Sequence, residues 1–184
     1  MTGGTEILLI TGPAGIGKST LCWEVGAVLA KAGIAHAIIE SDELDRVFPS
    51  PGPAELETLS PGTTDISSLT LAAIWSVYRR LGQSRLVMSG VMLDPAADHR
   101  WIVGAIPDAR IITIRLRAGE ATLVERLDRR EAGSGRDEQV ARTLRQARRM
   151  ATESADGLHV IDTDGRTPQE LAPIVLQAAG WLAP

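Results

Sequence analysis

Apolar positions along the chain recur in two alternating spacings. Residues 5–10 read as a strand whose apolar run, Ile7 to Ile10, has no alternation, as a parallel strand needs when both of its faces are covered. Over 18–32 the spacing becomes helical, with Leu21, Val25, Val28 and Leu29 on one stripe and Gly33 where a helix ends. The alternation continues with a strand at 34–40, a helix at 65–82, a strand at 85–89, a helix at 96–105 and a strand at 109–116. A helix at 118–131, another from Asp137 to about Ser154, a strand at 158–162 and a last helix ending near Gly180 complete the pattern. Ile66, Leu69, Ala73, Ile74 and Val77 make the expected buried stripe of 65–82, and Trp75 and Tyr78 read as core packing. Trp101 and Ile102 point inward from 96–105, and His36 falls inside the second strand as a structural residue. Between these elements, 48–64 is irregular, broken by Pro49, Pro51, Pro53 and Pro61, with a short helix at Ala54–Leu59. Five strands alternating with helices through right-handed crossovers predict a three-layer α/β fold around a central parallel sheet. No repeat or change of composition divides the chain, so one domain over 1–184 is expected.

The turn between the first strand and the first helix carries the most specific chemistry. It reads Gly12-Pro-Ala-Gly-Ile-Gly-Lys-Ser19 and fits G-x-x-x-x-G-K-[ST] without a mismatch. Glycines let the backbone curl so that several N–H groups converge on one phosphate, and the helix that follows adds the positive end of its dipole. The nucleotide-binding residues expected here are Gly12, Ala14, Gly15, Ile16, Gly17, Lys18, Ser19 and Thr20. Lys18 is expected to reach the β- and γ-phosphates, and the Ser19 hydroxyl to take one position on Mg²⁺. The stretch resembles the Walker A loop of the P-loop NTPases, which implies binding of a nucleoside triphosphate.

Open parallel sheets bind ligands beyond the carboxyl ends of their strands. The second strand ends in Glu40-Ser-Asp-Glu-Leu-Asp-Arg46, so these side chains face the crevice of the glycine-rich turn. Asp42 is the candidate base for a substrate hydroxyl and a candidate for the metal environment. Glu40, two residues earlier, is on the same side of an extended chain and suits Mg²⁺ held through water. Arg46 is placed to grip an anionic substrate group. The third strand ends in Ser89, where many P-loop proteins have an aspartate, and the nearest aspartate is Asp94. This departure adds weight to Glu40 and Asp42. The region 118–150 places Arg126, Arg129, Arg130, Arg142, Arg145, Arg148 and Arg149 on two helices separated by Gly133-Ser-Gly135. It reads as a mobile, arginine-rich lid that closes on phosphates and excludes water. Arg126 and Arg130 are the functional candidates, while Arg129, Arg145 and Arg149 fit i,i+4 pairs with acidic neighbours.

Composition narrows the function. The chain has 184 residues, 44% hydrophobic and 23% charged, with a formal charge of −4. The acidic balance disfavours nucleic acid as a partner. Cys22 is the single cysteine, so no internal disulfide forms, and it reads as a small core residue. No apolar run approaches the roughly 18 residues of a membrane span, and no signal-like segment opens the sequence, so a cytoplasmic protein is expected.

Four stretches together are similar to small P-loop kinases of the nucleoside-monophosphate-kinase-like group, which includes shikimate and gluconate kinases, adenylylsulfate kinase and chloramphenicol phosphotransferase. They are Gly12–Ser19, Glu40–Asp42, Arg126-Leu-Asp-Arg-Arg130 and Asp162-Thr-Asp-Gly-Arg-Thr-Pro168. The resemblance implies transfer of the γ-phosphoryl group of ATP, with Mg²⁺, to a hydroxyl of a small molecule. It implies that Arg126 packs near the adenine, that Arg130 meets the transferring phosphate, and that Gly165, Arg166, Thr167 and Pro168 lie beside the base. The acceptor is expected to be a metabolite or an antibiotic rather than a nucleoside monophosphate, because the aspartate and Gly-Phe-Pro segment of nucleotide kinases are absent from the third strand. Two alternatives stay open: a nucleotide-gated regulatory NTPase without a small-molecule acceptor, and a polynucleotide 5′-hydroxyl kinase.

Overall fold

The computed structural model describes residues 4–63, 65–130, 135–153 and 157–182, with Arg130 described by its backbone only. The order of elements is β1 (Thr5–Thr11), α1 (Lys18–Lys31), β2 (Ala37–Glu40), a 3₁₀ turn (Ser41–Glu43), α2 (Pro53–Leu59), α3 (Ile66–Arg80) and β3 (Arg85–Gly90). Then follow α4 (Pro95–Ala105), β4 (Ala109–Arg117), α5 (Glu120–Arg130), α6 (Arg136–Thr152), β5 (Leu158–Asp162) and α7 (Pro168–Ala178). The five strands form one sheet in the order β2-β3-β1-β4-β5, and every pairing is parallel. β1 is central, and the apolar run that marks it is covered on both faces. Leu8 and Ile10 join the layer with α1 and α7, whereas Ile7 and Leu9 join the layer with α3 and α4. Burying an aliphatic side chain of this size contributes about 1.5–3 kcal/mol. Both apolar clusters therefore hold the ends of β1, β2 and β3 in fixed relation. Among the described residues no helix is long and apolar enough to cross a membrane.

Two expectations need correction. The second strand is shorter than 34–40. Gly33 adopts φ 67°, the Ile34 N–H donates to the Leu29 carbonyl at 2.9 Å, and pairing with β3 begins only at Ala37. These contacts close the end of α1, so 34–36 wraps the helix terminus instead of joining the sheet. His36 thus lies outside the strand, with Nδ1 2.9 Å from the Ile34 carbonyl oxygen. The buried stripe of α3 is also rotated. Leu71 and Trp75 are buried, Ile74 and Tyr78 pack beside them, and Val77 and Ala73 are exposed. The indole decides the rotation: it carries the largest apolar area on the helix, and Nε1 donates to Thr5 Oγ1 at 3.2 Å. The helix expected to reach about Ser154 is described to Thr152, and Ser154 lies outside the described residues.

Candidate active site

The turn after β1 is held by backbone conformations that favour glycine. Gly12, Gly15 and Gly17 have φ of 152°, 75° and 104°. At Gly15 space is also limiting, since a Cβ would stand 2.6 Å from Leu127 Cδ2 of α5. The turn is therefore packed against the first lid helix. Lys18 opens α1 and donates from Nζ to the Gly12 and Pro13 carbonyls at 3.0 and 3.1 Å, which folds its ammonium back over the turn.

A cleft of about 570 Å³ extends from this turn across the ends of β2 and β3. Ala14, Gly15, Gly17, Lys18, Ser19 and Thr20 line one side, and Glu40, Asp42 and Arg46 line another. Parallel pairing explains the meeting: β2 lies two strands from β1, and both end at the same edge of the sheet. Ser19 Oγ donates to Glu40 Oε2 at 2.7 Å. A hydroxyl and a carboxylate oxygen thus share one point of the cleft, a hard-oxygen pair that suits Mg²⁺. Among the described residues no cluster of three or more His, Cys, Asp or Glu side chains is placed to hold a metal ion. Asp42 is exposed on the 3₁₀ turn, and Arg46 pairs with Glu43 at 3.0 Å.

Ser89, at the position where an aspartate was absent, is buried and stands in register with Glu40. Its hydroxyl is hydrogen-bonded to Cys22. Burial pushes the Cys22 thiol up to about 12, so it stays protonated and acts as a core residue. Asp94 is occupied elsewhere: it caps α4 by accepting from the Ala97 N–H at 3.0 Å. The next residue is Gly90, where a Cβ would crowd the Ser41 hydroxyl.

The lid candidates separate. Arg126 donates from Nη1 to the Ile16 carbonyl at 3.0 Å and to Thr163 Oγ1 at 2.9 Å, and from Nη2 to the Thr163 carbonyl at 2.9 Å. It ties the lid base to the glycine-rich turn and to the start of the 163–168 loop. In that loop Thr167 caps α7 in a reciprocal pair with Glu170. Neither Arg126 nor Gly165, Arg166, Thr167 and Pro168 line the cleft around Lys18. Arg129 pairs with Glu125 four residues away on an exposed face of α5, and Arg149 pairs with Glu153, the half-buried residue that follows α6. The side chain of Arg130, and Gly133 and Ser134 of the expected hinge, lie outside the described residues.

Sequence reasoning passed over Gln139 and Gln146 of α6 and named Arg142 only as one of the lid arginines. Gln139 and Arg142 line the cleft opposite Asp42, and Gln146 accepts the Ala14 N–H at 2.9 Å. Their spacing of three and four residues places them on one helix face, a signal that was present but masked by the arginines around it.

The geometry just described is a parallel sheet in the order 2-3-1-4-5 with a glycine-rich turn and Lys18 at its centre. Solved structures share this fold over almost their whole length. The tunicamycin resistance protein of Deinococcus radiodurans matches with a TM-score of 0.61 and 22% identity, over 98% of this chain and 99% of that one. The chain has the fold of the P-loop kinases. A gluconokinase from Sinorhizobium meliloti gives a TM-score of 0.58 and 21% identity over 97% and 93% of the two chains. The Mycobacterium tuberculosis APS kinase, solved with AMPPNP and APS, gives 0.55 and 16% over 97% and 99%. No protein-family model matches the sequence, and no curated protein matches it.

Proposed function

We propose that the protein is a small-molecule kinase that transfers the γ-phosphoryl group of ATP to a hydroxyl of a metabolite or an antibiotic. One observation carries this reading: Lys18, Ser19, Glu40 and Asp42 line a single cleft at the carboxyl edge of the sheet. Structures of the same fold include a gluconokinase, an APS kinase bound to AMPPNP and APS, and a shikimate kinase bound to shikimate, which supports the reaction class.

Phosphoryl transfer asks little covalent work of a protein; positioning and charge do most of it. The curled backbone of 12–20 binds the phosphate chain. Lys18, freed from the Gly12 and Pro13 carbonyls, turns its ammonium to the β- and γ-phosphates. Ser19 and Glu40 would hold Mg²⁺, which would neutralise phosphate charge. Asp42 accepts the proton of the acceptor hydroxyl and aims its oxygen along the line of transfer. Arg142 and Gln139 cover the cleft from the lid, and Arg130 meets the moving phosphate. Arg126 and the 163–168 loop flank the adenine. Arg46 with Glu43 forms the outer wall for the acceptor.

The test is a thermal-shift screen with Mg²⁺ and a non-hydrolysable ATP analogue across hydroxylated metabolites, nucleosides and antibiotics, followed by ³¹P detection of product from ATP. A compound that stabilises the protein only with nucleotide, and is then phosphorylated, is the expected result. Phosphate release without any acceptor replaces the kinase by a regulatory NTPase. No response to nucleotide removes the basis of the proposal.

A further inference from the structure

The middle of the glycine-rich turn is held from the lid at three consecutive residues. The Ile16 carbonyl accepts from Arg126 Nη1 of α5 at 3.0 Å. At Gly15 the backbone runs so close to α5 that a Cβ would stand 2.6 Å from Leu127 Cδ2. The third hold comes from the other lid helix, where Gln146 Oε1 of α6 accepts from the Ala14 N–H at 2.9 Å. A backbone N–H needs an acceptor, which fixes the orientation of the side-chain amide. Gln146 is 9% exposed and Ala14 is half-buried, so water has little access to this bond. Taking the acceptor away from such a place leaves a donor unpaired, which costs more than the bond was worth when made.

Gln146 is not part of the wall of the cleft around Lys18, so it touches no phosphate itself. Two residues on its own helix face are part of that wall: Arg142, one turn before it, and Gln139, two turns before it. Beyond Gln146 the helix is firmly anchored. Arg115 Nη1 of β4 donates to the Met150 and Glu153 carbonyls at 2.5 and 3.0 Å, and Arg148 pairs with Glu120 of α5 at 2.7 Å. At the other end Arg136 meets Asp128 of α5 at 2.7 Å with both side chains 42% exposed, and open ion pairs of this sort hold weakly. Gln146 thus links the turn to the helix face that carries Arg142 and Gln139 over the cleft.

Resting on the reading of 12–20 as the donor site, we propose that Gln146 is a positioning residue of that site. It holds the Ala14 amide in the curl that the phosphate chain meets, and it ties that curl to the placement of Arg142 and Gln139. Without the acceptor the turn samples other conformations. The nucleotide must then select the competent one, and its apparent affinity falls with the competent fraction. The tie is reciprocal, as any coupling between two sites must be, so a nucleotide that orders the turn also orders this face of α6.

The test is titration calorimetry of the whole chain with AMP-PNP and Mg²⁺, on the parent, Gln146→Met, Arg142→Ala and the double variant. Methionine has nearly the length of glutamine and no strong acceptor, so it keeps the packing and removes the bond. Gln146→Met should raise the Kd about tenfold. Arg142→Ala should raise it at least fivefold in the parent and less than twofold in the Gln146→Met chain, the non-additivity of residues that act through one another. In ¹⁵N-labelled protein the Ala14 amide proton should move upfield in Gln146→Met. Gln146→Asn, whose shorter side chain draws the acceptor back, serves if the methionine variant fails to fold. A residue that merely packs predicts a lower melting temperature with the Kd within twofold, and that result overturns the proposal. So does an equal Arg142→Ala factor in both chains, or an Ala14 signal that stays in place. If the parent binds AMP-PNP and the variants fail these expectations, the donor reading stands and the role of Gln146 falls. If the parent does not bind AMP-PNP, both fall.

Discussion

The two sides of the cleft are built on different principles. The proposed nucleotide side, 12–20, is defined by backbone: three glycines at positive φ, the first turn of α1, and the central strand beneath. The proposed acceptor side, 40–46, is defined by individual side chains on a short turn, with Glu40 tied to Ser19 and Arg46 tied to Glu43. Backbone geometry recognises what all nucleoside triphosphates share. Side chains on a turn recognise one acceptor and change easily. A chain of this fold can therefore keep its donor while changing its substrate, and mutations on the two sides should separate into donor and acceptor effects.

The sharpest break comes from Lys18→Ala. Removing a preorganised electrostatic stabiliser typically costs on the order of 10²–10³ in rate. Transfer should fall below detection in a ³¹P assay with every acceptor, because the loss is on the shared side. Asp42→Asn is the counterpart on the acceptor side. General-base contributions run to roughly 10²–10⁴-fold. Its kcat should drop accordingly while the affinity for AMP-PNP, read by calorimetry, stays within about threefold. Unchanged turnover would remove Asp42 from the mechanism.

Two glycines sharpen the contrast. Gly15→Ala adds a methyl 2.6 Å from Leu127 Cδ2 at a position with φ 75°. A left-handed non-glycine residue costs roughly 1–2 kcal/mol before any clash, so nucleotide affinity and melting temperature should both fall. Gly90→Ala adds its methyl 2.2 Å from Ser41 Oγ without a positive φ. It pushes the 3₁₀ turn that carries Asp42 and leaves the glycine-rich turn alone. The expected result is a raised KM for the acceptor, by about tenfold or less, with AMP-PNP affinity unchanged. A loss of nucleotide binding in Gly90→Ala would show that the sides are not independent.

The same contrast explains what could be read from the sequence. A Gly-x-x-x-x-Gly-Lys-Ser spacing after an apolar run prescribes a backbone, and the backbone appeared where it was expected. Both covered faces of β1 followed from the unbroken apolar run Ile7 to Ile10, whereas the strand order was not read from the sequence. Side-chain partners were less legible. Arg126 was expected at the base, yet nothing in the sequence says that it donates to both Ile16 and Thr163, residues 110 and 37 positions away. Gln146 meets Ala14 across 132 positions. The rotation of α3 depended on Trp75 finding Thr5 Oγ1, 70 positions distant. Periodicity identifies that a helix has a buried face; the partner across space chooses which one.

The smallest expected effect lies outside the cleft, at the loop that flanks the adenine in our proposal. Thr167 caps α7, with Oγ1 3.3 Å from the Glu170 N–H, while Glu170 Oε2 accepts from the Thr167 N–H at 2.8 Å. The Thr167 backbone N–H and then its hydroxyl hold the Glu170 carboxyl below the usual carboxylate range. A folded-state value below the unfolded one means that this stability is present above the usual range and fades as pH falls through the lowered value. Losing such a cap costs about 1 kcal/mol, which lowers the melting temperature of a chain this size by roughly 2–4 °C. Thr167→Ala should show that shift at pH 7, and a smaller one once acid has protonated Glu170. Its kcat with saturating ATP should match that of the parent, since the cap shapes the loop and touches no reacting atom. If kcat falls with the cap, the 163–168 loop does more than flank the base, and the separation between a backbone-built donor side and a side-chain-built acceptor side must extend to α7.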